Sequence, residues 1–410
     1  MKAPKLLFHA LSFILLVVFF SSETLAQSEA RSPKPKSTFA SGNSALGIPL
    51  EIDNNILFLR VNVNGSRPLR FIFDTGASAS AINSKLLDEL KLKVQEQGNG
   101  TATGGNITVG LIKHVSLSVA GAEVTNQMIV SFSFDELPCV EFDGIIGFDF
   151  INQFIVELDY QKSVINLYDP RTYTYSGKGK VIPVQLGNRT PVAIVNLTVD
   201  GPKPMPGRLE IDTGGDGALV IYPRFVKRNR LSRSLRGGLK DTGRGAGGEY
   251  ERITRRIKGA KLGPFFIDQP VVSFGQDEDG SASDGFDGIL GGEILRRFKV
   301  VFDYSRRRMM LEPNSSFSDP YEVGMSGIGF QYDKTNCNLH RIESIEPNSP
   351  ASESGLQPGD IVTAIDARPI EQISSNEFEQ IFKQHGKQLT LTIKRGEEVI
   401  QKRITLRRSI

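Results

Sequence analysis

The feature that most constrains the fold of this chain is an internal repeat. "VNVNGSRPLRFIFDTGAS" from Val61 and "VNLTVDGPKPMPGRLEIDTGGDG" from Val195 share one order of parts: an alternating strand, a turn, a second strand, and Asp-Thr-Gly. The turns contain Asn64-Gly65 and Asp200-Gly201, pairs that suit hairpins. The match resumes downstream in "FDGIIGFDFINQFIVELDYQKSVINLY" from Phe142 and "FDGILGGEILRRFKVVFDYSRRRMMLE" from Phe286. Each half also holds a glycine-rich polar loop between strand-like segments, at Gly104-Gly105 and at Gly247-Gly248. A duplicated, mainly β unit explains all three coincidences. With 410 residues, 39% of them apolar, the chain is also too long for one core, which agrees with two lobes and a further domain.

Around the repeat, the termini and composition narrow the function. The formal charge of +3 is small and the basic residues are scattered, so nucleic acid is not an expected partner. The basic run 224–240 reads as a solvated helix and loop. Residues 1–26, with two lysines, an apolar run from Leu6 to Phe20 and a small-residue end at Ala26, have the layout of a cleavable signal peptide. The run is shorter than the roughly 20 residues that span a bilayer, so a secreted or periplasmic chain with no stable membrane span is expected. Residues 27–45 read as a flexible linker. Cys139 and Cys337 form no disulfide framework, and His114, His340 and His385 lack metal-ligand spacing, so neither a metal nor an organic cofactor is expected.

A lone Asp-Thr-Gly is a weak signal, and a third copy, Asp241-Thr242-Gly243, follows no apolar strand and reads as loop or arm of the second glycine-rich flap. Asp74 and Asp212 are different, because each ends an apolar strand at the same place in a repeated unit. Two such units facing one another across a pseudo-twofold axis bring the two acids together. Adjacent carboxylates cannot both ionise cheaply, so one keeps a proton. The charged one can then take a proton from water while the other hydrogen-bonds a peptide carbonyl. Gly76 and Gly214 allow the close approach, and the hydroxyls of Thr75 and Thr213 can brace the halves.

"FDTGAS" and "IDTGGD", each followed by "DGIIG" or "DGILG", resemble the retropepsin-like aspartic proteases, with both halves in one chain as in a pepsin layout. The resemblance covers about residues 46–316 and implies a bilobal acid-protease fold, lobe 1 at 46–172 and lobe 2 at 173–316. It implies Asp74 and Asp212 as catalytic acids, Ile145-Ile146-Gly147 and Ile289-Leu290-Gly291 packed behind them, and flaps tipped by Gly104, Gly105, Gly247 and Gly248. Asp216 departs from the pattern as a third acid near the pair, either raising its proton affinity or facing solvent. From about 320, "GIGF" followed by "IEPNSPASESGLQPGDIVTAIDARPI" resembles a PDZ domain, β-rich with short helices, of the kind attached to bacterial secreted proteases. That implies a groove for peptide C-termini formed by Gly327, Ile328, Gly329 and Phe330, with Phe378 and Phe382 beside it on a helix capped by Asn376 and ended by Gly386. The expected activity is that of an aspartic endopeptidase acting on protein or peptide substrates. An idle peptide-binding scaffold is the alternative. A serine hydrolase is excluded by the lack of a Gly-x-Ser-x-Gly elbow.

Overall fold

The computed structural model describes residues 16–19, 34–135, 137, 141–276, 285–331 and 340–409. Cys139 and Cys337 lie outside these residues, as does the expected signal peptide apart from Leu16–Phe19, a strand antiparallel to residues 99–102.

The repeat in the sequence is a repeat in topology. In the first copy, Leu69–Phe73 runs parallel to Gly144–Ile146, which is antiparallel to Ala81–Asn83, itself parallel to the end of Ala122–Phe132. In the second copy, Met205–Ile211, Gly288–Leu290, Leu219–Ile221 and Val271–Gly275 are related in the same way. The strand residues are apolar on both faces because both faces are covered. Phe71 and Phe73 enter the main core, whereas Ile72 joins a second cluster with Phe58, Ala77, Ile145 and Ala246.

A six-stranded antiparallel sheet bridges the copies, three strands from each, and one of these, Ser44–Pro49, together with Lys36–Phe39 against Ala122–Phe132, stands where a flexible linker was expected. At its centre Ile155–Asp159 pairs with Phe298–Asp303, Val156 opposite Phe302 and Leu158 opposite Val300. These are the strands that follow the two Asp-Gly segments, so the pseudo-twofold axis passes between equivalent elements.

The basic run departs from the expected solvated segment. The helix Pro223–Arg228 and the turn Leu231–Arg233 put Phe225, Val226, Leu231 and Leu235 into the core. Arg228 forms a two-pronged ion pair with Asp287, at 2.8 and 2.9 Å. The third Asp-Thr-Gly lies in the strand Leu239–Gly245, an arm of the second flap and not a loop.

In the C-terminal region a five-strand path runs Ile328–Phe330, His340–Ile345, Ile361–Ile365, Gln388–Arg395, Glu398–Thr405, with the helix Ser375–Phe382 against it. Ser374, not Asn376, caps that helix, its hydroxyl accepting from Glu377 N, and the helix ends at Phe382, before Gly386. The connection to the second lobe is pinned by the fully buried Arg297. Its guanidinium donates to the carbonyls of Asp319 and Pro320, pairs with Glu293 at 2.8 Å and stacks over Tyr321 at 3.6 Å. Among the described residues no helix is long and apolar enough to cross a membrane.

Candidate active site

Each acid is delivered by the same backbone device. The strand ending at Phe73 or Ile211 stops where the chain turns through Thr-Gly, and the acid's own N–H donates to the strand behind it: Asp74 N to Ile146 O at 3.0 Å, and Asp212 N to Leu290 O at 2.9 Å. The expected packing of the two apolar segments behind the loops is therefore what the backbone shows. Each carboxyl then folds back on its own loop, Asp74 Oδ1 accepting from Gly76 N at 2.8 Å and Asp212 Oδ1 from Gly214 N at 2.7 Å.

The threonines lock the copies together. Thr75 N donates to Thr213 Oγ1 at 3.1 Å and Thr213 N to Thr75 Oγ1 at 3.0 Å. Each hydroxyl donates in turn across the axis at 2.7 Å, Thr75 to Ile211 O and Thr213 to Phe73 O. All four bonds are buried, and they fix the distance at which the acids meet. That distance is short. A side-chain carbon on Gly76 would stand 2.7 Å from the Asp212 carboxyl carbon, and one on Gly214 would collide with the Asp74 carboxyl, so both positions require glycine.

Both acids are fully buried, and their outer oxygens, Asp74 Oδ2 and Asp212 Oδ2, accept no hydrogen bond from the described residues. Burial raises the proton affinity of both. For Asp74 the charge of Asp212 raises it further, while for Asp212 the hydrogen bond with Asp74 offsets part of the burial effect. The pair holds one proton between its members well above the pH at which an isolated carboxyl would lose it.

The two flaps meet tip to tip. Gly247 N donates to Thr103 O at 2.8 Å, and Gly104, Gly105, Gly247 and Gly248 lie backbone against backbone, with φ of +94° at Gly104 and +125° at Gly248. A side chain at Gly104 would strike the carbonyl of Gly248. Ala246, at the tip of the second flap, packs in the same cluster as Ala77 of the first catalytic loop, so the flap reaches across to the other lobe.

Asp216 does not face solvent. It is buried, and its carboxyl is pushed up to about 8 by burial and then by the charge of Glu379, with Arg252 and Lys383 opposing. Glu379 and Lys383 belong to the C-terminal helix. A cavity of about 200 Å³ separates that helix and the Ile328–Phe330 strand from the second lobe, lined by Phe330, Phe378 and Glu379 on one side and Asp216, Leu219 and Arg252 on the other. Of the expected groove residues Gly327, Ile328, Gly329 and Phe330, Ile328 and Phe330 line this cavity and so face the second lobe. Phe378 and Phe382 form its buried floor, their rings 5.0 Å apart and both in contact with Phe330.

Sequence reasoning missed two supports, one across the lobes and one within the first lobe. Asn55 donates to Asp216 O at 2.8 Å and to Glu293 at 2.9 Å, and Asp149 accepts from Ser80 Oγ at 2.6 Å. The signal was present: Asp149 and Glu293 hold the same place in the two copies. Among the described residues no cluster of His, Cys, Asp and Glu could hold a metal ion.

Residues 59–150 match the family described as aspartyl protease, and residues 341–395 match the PDZ domain. The chain thus carries an aspartyl-protease domain followed by a PDZ domain. No curated protein matches it. Among solved structures it is similar to the crystal structure of the aspartic proteinase from Irpex lacteus, at 14% identity and a TM-score of 0.45, over 67% of this chain and 99% of that one.

Proposed function

We propose that the chain is an aspartic endopeptidase that hydrolyses peptide bonds with a water activated between Asp74 and Asp212. The observation that carries this reading is the meeting of two buried carboxyls whose loops are locked by reciprocal threonine hydrogen bonds. The ionised acid removes a proton from the water as its oxygen attacks the carbonyl carbon. The protonated acid donates to the carbonyl oxygen. Collapse of the tetrahedral intermediate breaks the C–N bond, and the proton taken from water passes to the leaving nitrogen. No covalent intermediate with the enzyme forms. Either acid can begin protonated, since the lobes are near-equivalent and the proton is shared.

The flaps, joined at their glycine tips, exclude bulk water and hold an extended peptide. The PDZ groove recruits or positions protein substrates. Its opening onto the second lobe supports that role, because a peptide held there lies beside the segment that continues from the Asp212 loop. On the signal-peptide reading, the mature chain works outside the cytoplasm, secreted or periplasmic.

The test is a digest of a mixed peptide library, read by mass spectrometry, with the wild-type chain and with Asp74→Asn. Cleavage by the first and none by the second supports the proposal. Equal cleavage by both removes it and favours the peptide-binding scaffold.

A further inference from the structure

Glu210 is a third acid in the strand that delivers Asp212, and the mechanism does not use it. Strand alternation puts it on the same face as Asp212, two residues on, while Leu209 and Ile211 point the other way into the main core. It is fully buried, and neither carboxyl oxygen accepts a hydrogen bond. The nearby hydroxyl of Thr190 donates to Gly187 O at 2.8 Å and only partly offsets the burial and the charge of Asp212 that raise the proton affinity of Glu210. Glu210 is close enough for its charge to act on Asp74 and for the charge of Asp212 to act on it.

The repeat shows which face this is. Ile72 is the counterpart of Glu210: it stands opposite Phe58 and Ile145, as Glu210 stands opposite Val192 and Ile289. Ile72 clusters with Ala77 and with Ala246 of the flap tip, so this face lies beneath the flaps. The Glu210 side is lined by the cluster of Val192, Val220, Tyr222, Phe286 and Ile289. An unpaired acid among such residues is costly, and the first copy shows that an aliphatic side chain fills the position. A locally unfavourable residue retained beside reacting groups points to a ligand that satisfies it.

We infer that Glu210 forms a subsite beneath the flaps for a cationic side chain, lysine or arginine, of a substrate residue adjoining the scissile bond. This rests on the proteolytic reading above. The substrate's ammonium or guanidinium supplies the partner that the chain does not, and aliphatic stems pack on Val192 and Ile289.

The test uses uncleavable hydroxyethylene peptides, in pairs that differ only by lysine or norleucine on one side of the isostere, with binding to the full chain measured by calorimetry. The lysine peptide of one pair is expected to bind about tenfold or more tightly than its norleucine partner, the scale of a charge-assisted hydrogen bond. Glu210→Ile, which installs the side chain of the first copy, is expected to abolish that advantage while keeping the norleucine affinity, which shows that the cleft is intact. If that variant does not fold, Glu210→Gln keeps the shape and is expected to lose most of the advantage. Norleucine binding as well as lysine in every pair overturns the inference, as does an advantage that survives both substitutions or a wild-type chain that binds neither peptide. The library digest with Asp74→Asn reports separately on proteolysis.

Discussion

Replacing Thr75 by valine removes the hydroxyl at nearly constant shape, and its consequences can be worked from four atoms. The hydroxyl donates to Ile211 O at 2.7 Å and accepts from Thr213 N at 3.0 Å. Both partners are fully buried, so neither finds water when the hydroxyl is lost. Each orphaned buried group costs about 1–3 kcal/mol, which gives a loss of roughly 2–6 kcal/mol for Thr75→Val. Thr213→Val removes the mirror-image pair, to Phe73 O and Thr75 N, and should cost a similar amount. The double variant should cost less than the sum, because the first substitution already loosens the approach of the two loops on which the second depends. Urea unfolding measures all three, with Thr125→Val as the control: that hydroxyl is exposed and makes only a 3.4 Å contact with Lys36 O, so a change within about 0.5 kcal/mol is expected. A loss below about 0.5 kcal/mol for Thr75→Val, or strict additivity with Thr213→Val, would refute the view that the threonines hold the lobes in register.

Two further outcomes follow from the same geometry. Gly104→Ala places a side chain against the Gly248 carbonyl at a φ of +94°, so the flap tips separate: KM for a library-derived peptide should rise several-fold while urea stability changes by no more than about 1–2 kcal/mol. The carboxyl of Asp216, pushed up to about 8, keeps its proton in the folded chain over a range where the unfolded chain, with an ordinary value near 3.9, has lost it. The stability linked to this proton is therefore full below about pH 4 and is lost as pH rises toward 8, by at most about 1.4 kcal/mol per unit. Asp216→Asn should flatten that decline in a urea series taken from pH 4 to pH 8. The neighbouring Glu379, also raised by burial, should leave a smaller decline of the same sign.

What was legible in the sequence was what the repeat wrote twice. The two Asp-Thr-Gly loops, the segments behind them and the glycine tips of the flaps each have a partner at the same place in the other copy, and pairing distinguished Asp74 and Asp212 from the unpaired Asp241. The C-terminal strands were also readable from alternation, since Gln388–Arg395 and Glu398–Thr405 each expose one face. Features that depend on contact between distant segments were not. Asp216 looks like a neighbour of the catalytic pair because it is four residues from Asp212, yet it faces, across a cavity, a helix more than 150 residues further on. The burial of Phe225 and Leu231 was hidden by the arginines interleaved with them, which lie on the outer face of the same short helix and turn. Glu210 went unremarked because the strand was read for its apolar residues, although its two-residue spacing from Asp212 already put both acids on one face.

Carboxyl-carbon NMR reads out whether Asp74 and Asp212 share one proton. The chain is labelled at the aspartate carboxyl carbons, assigned with Asp74→Asn and Asp212→Asn, and titrated. Both resonances are expected to move through the same two inflections, the higher lying well above the ordinary value near 3.9. Two independent single inflections near that ordinary value would contradict the account.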